Sequence, residues 1–166
     1  VYIENEIEIP ELNLVGTFDL GQMVEIDGKK TFNLYDVKTA SNWNWMKMFG
    51  RLKNRRPGTD DNYKMQLATY SLAIKEEFNP DIINMFLIWY KKDNSTIRQQ
   101  PVSPDWTEKA IDYWTELNAI FEDCGESFEQ DLTPEYWTGV PFKNEECSYC
   151  DFYNICPSTL APKRSL

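Results

Sequence analysis

The first 40 residues alternate between apolar and polar side chains with a period of two, which is typical of half-buried antiparallel strands. Three segments carry this pattern, namely residues 1–9, 14–26 and 31–39. Pro10 ends the first, and Asp27-Gly28 between the second and third is a strong hairpin signal. Gly21 indicates a bulge within the second. The pattern therefore predicts a three-stranded meander.

Further along the chain the apolar period changes to that of a helix. Residues 61–78 carry apolar side chains on one stripe at Tyr63, Leu67, Tyr70 and Ile74, which predicts an amphipathic helix. A second helix is predicted from about Pro104 to Asp123, because Ser103 followed by a proline fits the start of a helix. Residues 41–60 lack clear periodicity, so a long loop or an irregular helix is expected there.

Two further strands complete the predicted fold. The nearly unbroken apolar run at residues 82–90 predicts a strand buried on both faces, and residues 95–102 an edge strand. The order of elements favours an α/β or α+β fold, a sheet covered by helices. We expect a core over residues 1–123 and a loop-rich, cysteine-containing appendage over residues 124–166.

Composition narrows the function classes. The 166 residues include no histidine, which excludes Ser-His-Asp and Cys-His catalysis within this chain and any imidazole-ligated zinc site. No apolar run approaches the length of a bilayer span, and the first residues do not resemble a signal peptide, so a cytoplasmic protein without membrane partners is expected. The net charge of −10 argues against a nucleic-acid partner unless positive charge is concentrated locally.

Positive charge is indeed concentrated between Ser41 and Thr59, where there are no acidic residues. Aromatic side chains are interleaved with the basic ones in this stretch: Trp43, Trp45, Lys47, Phe49, Arg51, Lys53, Arg55 and Arg56. Basic groups bind phosphates and aromatic rings stack on unpaired bases, so the stretch is a candidate nucleic-acid-binding segment. The alternative is a basic loop whose tryptophans face the core.

Two carboxylates and a lysine form the main candidate site. Asp36 and Lys38 are two apart on a predicted strand and so project from one face, while Val37 points the other way, into the core. Asp19 lies on the neighbouring strand of the same hairpin. Two aspartates and a backbone carbonyl near Val37 would suit Mg²⁺, and a lysine beside them could orient a water or stabilise a phosphate. An ordinary solvated Asp-Lys pair is the alternative.

Gln66 and Tyr70 on the predicted helix are four apart and share a face. Taken alone, this pair indicates no more than a core tyrosine beside a surface glutamine. Together with the preceding motifs it carries a resemblance. Gly16-x-x-Asp19, then Asp36-x-Lys38, then Gln66-x-x-x-Tyr70 resembles the RecB/Cas4-like branch of the PD-(D/E)XK nuclease superfamily.

The resemblance implies a restriction-endonuclease-like mixed sheet flanked by helices. It implies Asp19 and Asp36 as metal ligands and Lys38 as the catalytic lysine, with Gln66 and Tyr70 helping to position substrate or the lysine. Members of this branch usually carry an earlier helix whose Glu or His completes the metal site. This chain starts directly on a predicted strand. Either that helix is missing from the chain or the site works without it.

Three of the four cysteines are clustered near the end of the chain. Cys147-x₂-Cys150-x₅-Cys156 resembles the cysteine triplet that holds a [4Fe–4S] cluster in Cas4- and AddB-type nucleases, where a fourth cysteine lies upstream of the nuclease motifs. Thiolates at this spacing suit an iron–sulfur cluster or, as a less favoured alternative, Zn²⁺. Three free thiols in a loop are the remaining possibility.

These features predict a Mg²⁺- or Mn²⁺-dependent DNA nuclease, exonuclease-like, acting on single strands or duplex ends. Recombination, repair or phage DNA processing would be its context, with a recombination or phage protein as a partner. One rival hypothesis is a nuclease-like module that binds DNA or protein without cleaving. Another is a small metal-stabilised interaction domain in which Asp19 and Asp36 are ordinary surface residues.

Overall fold

The structure is a computed structural model that describes residues 1–124, apart from the side chains of residues 120, 121, 123 and 124. The chain separates into two compact units, Val1–Asn118 and Ala119–Leu166. Among the helices of this described part, none combines the length and the apolar character needed to cross a membrane.

The described part forms a mixed five-stranded sheet with three helices, consistent with the predicted restriction-endonuclease-like fold. The strands are β1 (Tyr2–Ile9), β2 (Leu14–Ile26), β3 (Lys29–Ala40), β4 (Ile82–Lys91) and β5 (Ile97–Val102). The helices are α1 (Asn42–Phe49), α2 (Asp61–Phe78) and α3 (Asp105–Cys124), with 3₁₀ turns at Pro10–Leu12 and Leu52–Asn54. The strands are adjacent in chain order, all pairs antiparallel except β3 with β4.

The segment between β3 and α2 is more ordered than its sequence suggested. Ser41 begins α1, since its hydroxyl accepts a hydrogen bond from the Asn44 backbone N–H at 3.3 Å. Gly50 follows the helix and donates its N–H to the Met46 carbonyl at 3.1 Å. A hydrophobic pattern over only eight residues is too short to predict this helix with confidence from periodicity alone.

The core lies on one face of the sheet, beneath α2. Phe32 and Leu34 of β3 are fully buried there, as are Leu67 and Ile74 of α2. On β4 the burial alternates, since Met85, Leu87 and Trp89 are buried and the residues between them are half-buried. The expectation that β4 is buried on both faces is therefore wrong. The uniformly apolar run concealed the alternation.

The strict alternation predicted for β1 is interrupted at Glu4. This residue has a φ of 47°, and the ladder pairs Ile3 with Leu20 and Asn5 with Phe18 while passing over it. The face that each strand presents to the core changes at this point. Ile3 is consequently exposed although Ile7 and Ile9 are buried. Asp19 lies opposite Glu4 on β2, so it is the β2 residue at which the regular pairing is interrupted.

Gly21 has a different role from the bulge predicted for it. It pairs regularly with Tyr2 on one side and Leu34 on the other. A Cβ atom at this position would lie 2.6 Å from Phe32 Cζ and 2.8 Å from Phe18 Cε2. The glycine therefore leaves room for the edge-to-face contact of these two rings, whose centroids are 6.0 Å apart.

We expect Gly21→Ala to destabilise the protein by about 1–3 kcal/mol, because the added methyl would displace two buried rings. Gln22→Ala, at the exposed neighbouring position, should change the free energy of unfolding by no more than about 0.5 kcal/mol. Urea unfolding followed by tryptophan fluorescence measures both. Equal stability of the two variants would contradict the packing role of Gly21.

Candidate active site

Asp19 and Asp36 are brought together where β2 and β3 separate. The regular ladder between the strands ends with Leu20 opposite Tyr35, and Asp19 and Asp36 occupy the next step. At this step the Val37 N–H donates its hydrogen bond to a side chain and not to a backbone carbonyl of β2. The acceptor is Asp19 Oδ2, at 2.7 Å. The Asp19 carboxylate thus lies against the backbone of the residue that follows Asp36.

Asp36 and Lys38 form a buried ion pair on the face covered by α2. The Lys38 Nζ atom donates a hydrogen bond to Asp36 Oδ1 at 3.0 Å and lies 2.9 Å from Oδ2. Asp36 is only 2% exposed, so the alternative of a solvated surface pair does not hold. Val37 projects to the other face as expected, but it is 49% exposed, so the expectation that it enters a core is wrong.

The pKa of the Asp36 carboxyl is raised above its ordinary value, chiefly because burial disfavours the charged form. The hydrogen bond from Lys38 and its positive charge act in the opposite direction, and the negative charge of Asp19 raises the pKa further. Buried carboxylates with displaced pKa values are typical of functional sites as well as of structural ion pairs. Asp36 is thus held at an energetic cost that Lys38 only partly offsets.

Gln66 and Tyr70 extend this ion pair onto α2. Gln66 Oε1 accepts a hydrogen bond from Lys38 Nζ at 3.0 Å, and its Nε2 donates to the Tyr70 hydroxyl at 2.7 Å. The Tyr70 ring packs against Gly16, where a Cβ atom would lie 2.9 Å from Tyr70 Cε1. The three sequence motifs therefore meet in one hydrogen-bonded cluster that fixes the position of the Lys38 ammonium.

Tyr63 also contacts this cluster, although the sequence indicated only its place in the apolar stripe of α2. Its ring centroid is 5.2 Å from Lys38 Nζ. The Tyr63 ring also packs against the Trp89 ring, with the two ring centroids 5.4 Å apart and the ring planes nearly perpendicular. A signal was present in the sequence, since Tyr63 is three residues before Gln66 and so shares its helix face.

The predicted nucleic-acid-binding segment contains both exposed and core-facing aromatic rings. Trp43 is exposed, with Lys47 Nζ 5.4 Å from its ring. Trp45 instead packs against Phe49 at 4.9 Å and against the core, so the core-facing alternative holds for this tryptophan. The remaining basic residues of the segment are exposed: Arg51, Lys53, Arg55 and Arg56.

Oxygen atoms suitable for a divalent ion are present at the cluster. Asp36 Oδ2 is buried and accepts no hydrogen bond of good geometry, although Lys38 Nζ lies 2.9 Å away, so this oxygen keeps acceptor capacity for a ligand. Asp19 and the main chain at Val37 lie beside it. Mg²⁺ commonly takes one or two carboxylates together with water and substrate phosphate, so this donor set fits. Among the side chains that the structure describes, no third acidic or sulfur group joins these two aspartates.

The predicted cluster ligands Cys147, Cys150 and Cys156 lie outside the described residues. The same holds for all of residues 125–166. Their assignment to an iron–sulfur cluster or to zinc therefore stays a prediction from spacing.

The family follows from comparison with known proteins. The sequence-family model of the PD-(D/E)XK nuclease superfamily matches residues 1–157 of this chain. The chain therefore belongs to this superfamily. The broader part of the sequence prediction is thereby confirmed, while the RecB/Cas4/AddB-like branch stays a prediction.

Among solved structures, the chain is similar to the one titled "Crystal structure of SSO0001", with 18% sequence identity and a TM-score of 0.44. That match covers 95% of this chain and 61% of the other, so the chain spans about three fifths of that protein's length. A search of curated protein sequences gave no significant match.

We expect Lys38→Met to destabilise the protein by about 1–3 kcal/mol at neutral pH, because it leaves the buried Asp36 carboxylate without its hydrogen-bond donor and counter-charge. Adding Asp36→Asn to that variant removes the uncompensated charge and should restore much of the loss. Urea midpoints of the wild type, both single variants and the double variant measure the coupling. Losses that simply add, with no recovery in the double variant, would show that the pair is not energetically linked.

Proposed function

We propose that this chain is a Mg²⁺- or Mn²⁺-dependent DNA nuclease, exonuclease-like, with Asp19 and Asp36 as metal ligands and Lys38 as the catalytic lysine. The single observation that carries the proposal is the buried Asp36 carboxylate, joined to Lys38 and placed beside Asp19 at the point where β2 and β3 separate. Membership of the nuclease superfamily supports the same reaction class. Recombination, repair or phage DNA processing is the proposed context.

A bound divalent ion would supply Lewis-acid chemistry, polarising a phosphoryl oxygen and lowering the pKa of water, held by Asp19, Asp36 and the Val37 carbonyl. The remaining contribution comes from the chain itself. Lys38 presents an ammonium whose position is fixed by Asp36 and Gln66, so it can donate to a phosphate oxygen or orient the attacking water without reorganising first. Tyr70 holds the Gln66 amide in the orientation this requires.

Asp19 contributes to alignment as well as to charge. Its hydrogen bond to the Val37 N–H fixes the main chain beside Asp36. The proposed ligands therefore sit on neighbouring strands of a sheet rather than on a mobile loop. Placement on rigid elements keeps a catalytic group within the small positional tolerance that phosphodiester hydrolysis demands.

Asp36→Ala and Lys38→Ala should each reduce metal-dependent cleavage of a labelled oligonucleotide by about 100-fold or more. The folded state should be checked by circular dichroism, because both residues are buried or partly buried. Asp112→Ala and Lys92→Ala, at exposed positions, are the matched controls and should cleave at the wild-type rate. Undiminished cleavage in the folded Asp36 and Lys38 variants would refute the assignment.

The proposed DNA-binding surface is α1 and the basic segment after it. Four exposed basic side chains follow one another there within six positions, close in sequence to the end of the strand that carries Lys38. Trp43 adds an exposed ring, with Lys47 close beside it. This local positive charge supports DNA binding despite the net charge of −10.

Replacing Arg51 and Lys53 with glutamine should weaken binding to single-stranded DNA and lower the slope of log affinity against log salt by about 1.4, since each phosphate contact contributes about 0.7. The matched control removes two exposed lysines at the opposite end of β3, Lys29 and Lys30. Fluorescence anisotropy across a salt series measures both variants. If the slope falls equally in the Arg51/Lys53 variant and in the Lys29/Lys30 control, the phosphate contacts are not specific to the segment after α1.

A second candidate function is DNA or protein binding without cleavage. The observation that favours it is the small donor set, since the described residues supply two acidic side chains but not three at the site. Metal titration separates the two functions, because a binding module would show no metal-activated turnover. Under either function, Cys147, Cys150 and Cys156 are proposed to hold a [4Fe–4S] cluster that stabilises the appendage without taking part in hydrolysis.

A further inference from the structure

A single exposed aromatic side chain is normal on a protein surface, so such a ring is informative only where it adjoins a candidate site. Among the described residues, three aromatic side chains are prominently exposed: Trp43 at 69%, Tyr113 at 48% and Tyr63 at 38%. Trp43 belongs to the basic segment already discussed, and Tyr113 packs against Trp114 on α3. Tyr63 alone of the three contacts the Asp36–Lys38 cluster.

The Tyr63 ring rests on a rigid support. The perpendicular ring below it, Trp89, is buried, and its indole N–H donates to Gln100 Oε1 at 2.7 Å. Gln100 in turn donates to Asp60 at 2.6 Å, and Asp60 pairs with Lys64 at 2.9 Å. Asp60 and Lys64 flank Tyr63 at the start of α2, so this chain of contacts holds the Tyr63 ring from two sides. The Tyr63 side chain therefore has little conformational entropy left to lose when a ligand stacks on it.

The ring is also next to the lysine proposed to meet the scissile phosphate. Lys38 Nζ lies over the Tyr63 ring, 5.2 Å from its centroid, and Tyr63 is still 38% exposed, so a base would stack on the exposed part of the ring. In a nucleotide, one sugar joins the phosphate to the base, so a phosphate at Lys38 places a base within reach of Tyr63. A base within a duplex is already stacked on both sides, whereas an unpaired base has a free face for an aromatic ring.

We propose that Tyr63 is a specificity-determining residue that stacks on an unpaired base adjacent to the phosphate held at Lys38. The inference rests on the proposed function, because it takes Lys38 as the phosphate-binding group. It adds a residue outside the three sequence motifs and gives the site a reason to prefer unpaired over duplex DNA. The ring, and not the hydroxyl, provides the interaction.

The test is a binding measurement in EDTA, so that it does not depend on catalysis. The probes are a fluorescein-labelled oligothymidylate and an oligomer of the same length in which every residue is abasic. Tyr63→Leu should weaken oligothymidylate binding about 5- to 100-fold and leave binding of the abasic oligomer unchanged. Tyr63→Phe should bind both like the wild type. Tyr113→Leu is the matched control for loss of an exposed ring and should also bind both probes like the wild type.

Several outcomes would overturn the inference. These are wild-type affinity of Tyr63→Leu for oligothymidylate, equal weakening with both probes, or no preference of the wild type for bases over abasic sites. Cleavage in Mg²⁺ separates this inference from the proposed function. If neither the wild type nor any variant cleaves, but Tyr63→Leu still loses affinity for oligothymidylate alone, the proposed nuclease function fails and the stacking role stands. If the wild type cleaves and Tyr63→Leu keeps its KM on single strands, the stacking role fails alone.

Discussion

A carboxylate held out of water is the constraint around which this fold is arranged. Asp36 sits beneath α2 on the buried face of the sheet, where desolvation raises its pKa, and Lys38 is the cation that offsets the cost. Lys38 is positioned in turn by Gln66, and Gln66 by Tyr70. Each of these polar groups would be costly if left unpaired, so the cluster is maintained as a unit.

The meeting of the two aspartates depends on a local departure from regular pairing. The left-handed backbone at Glu4 changes the face that β1 and β2 present to the core, and Asp19 lies at this change. Freed from regular alternation, its carboxylate reaches sideways to the Val37 N–H. A straight ladder would satisfy that N–H with a backbone carbonyl instead. This irregularity is what brings the two candidate carboxylates together on adjacent strands.

Much of the architecture was predictable because the hydrophobic period differs clearly between strands and helices. The meander, α2, β4, β5 and α3 all formed close to their expected positions. The errors have physical causes. The role of Gly21 depends on two rings that are distant in sequence from one another, and the burial of β4 depends on which sheet face receives a helix. The pairing of Lys38 with Tyr63 likewise requires α2 to cross β3.

The candidate site residues could be chosen from the sequence alone, because their carboxylate, amine and amide groups stand at spacings that place them on common faces of local elements. Local spacing cannot say how two elements meet. The burial of Asp36, the contact of Asp19 with the main chain of Val37 and the position of Tyr63 beside Lys38 became visible once the elements were packed together. Burial and the distance between elements arise from packing over the whole sheet, where no single segment of sequence specifies the outcome.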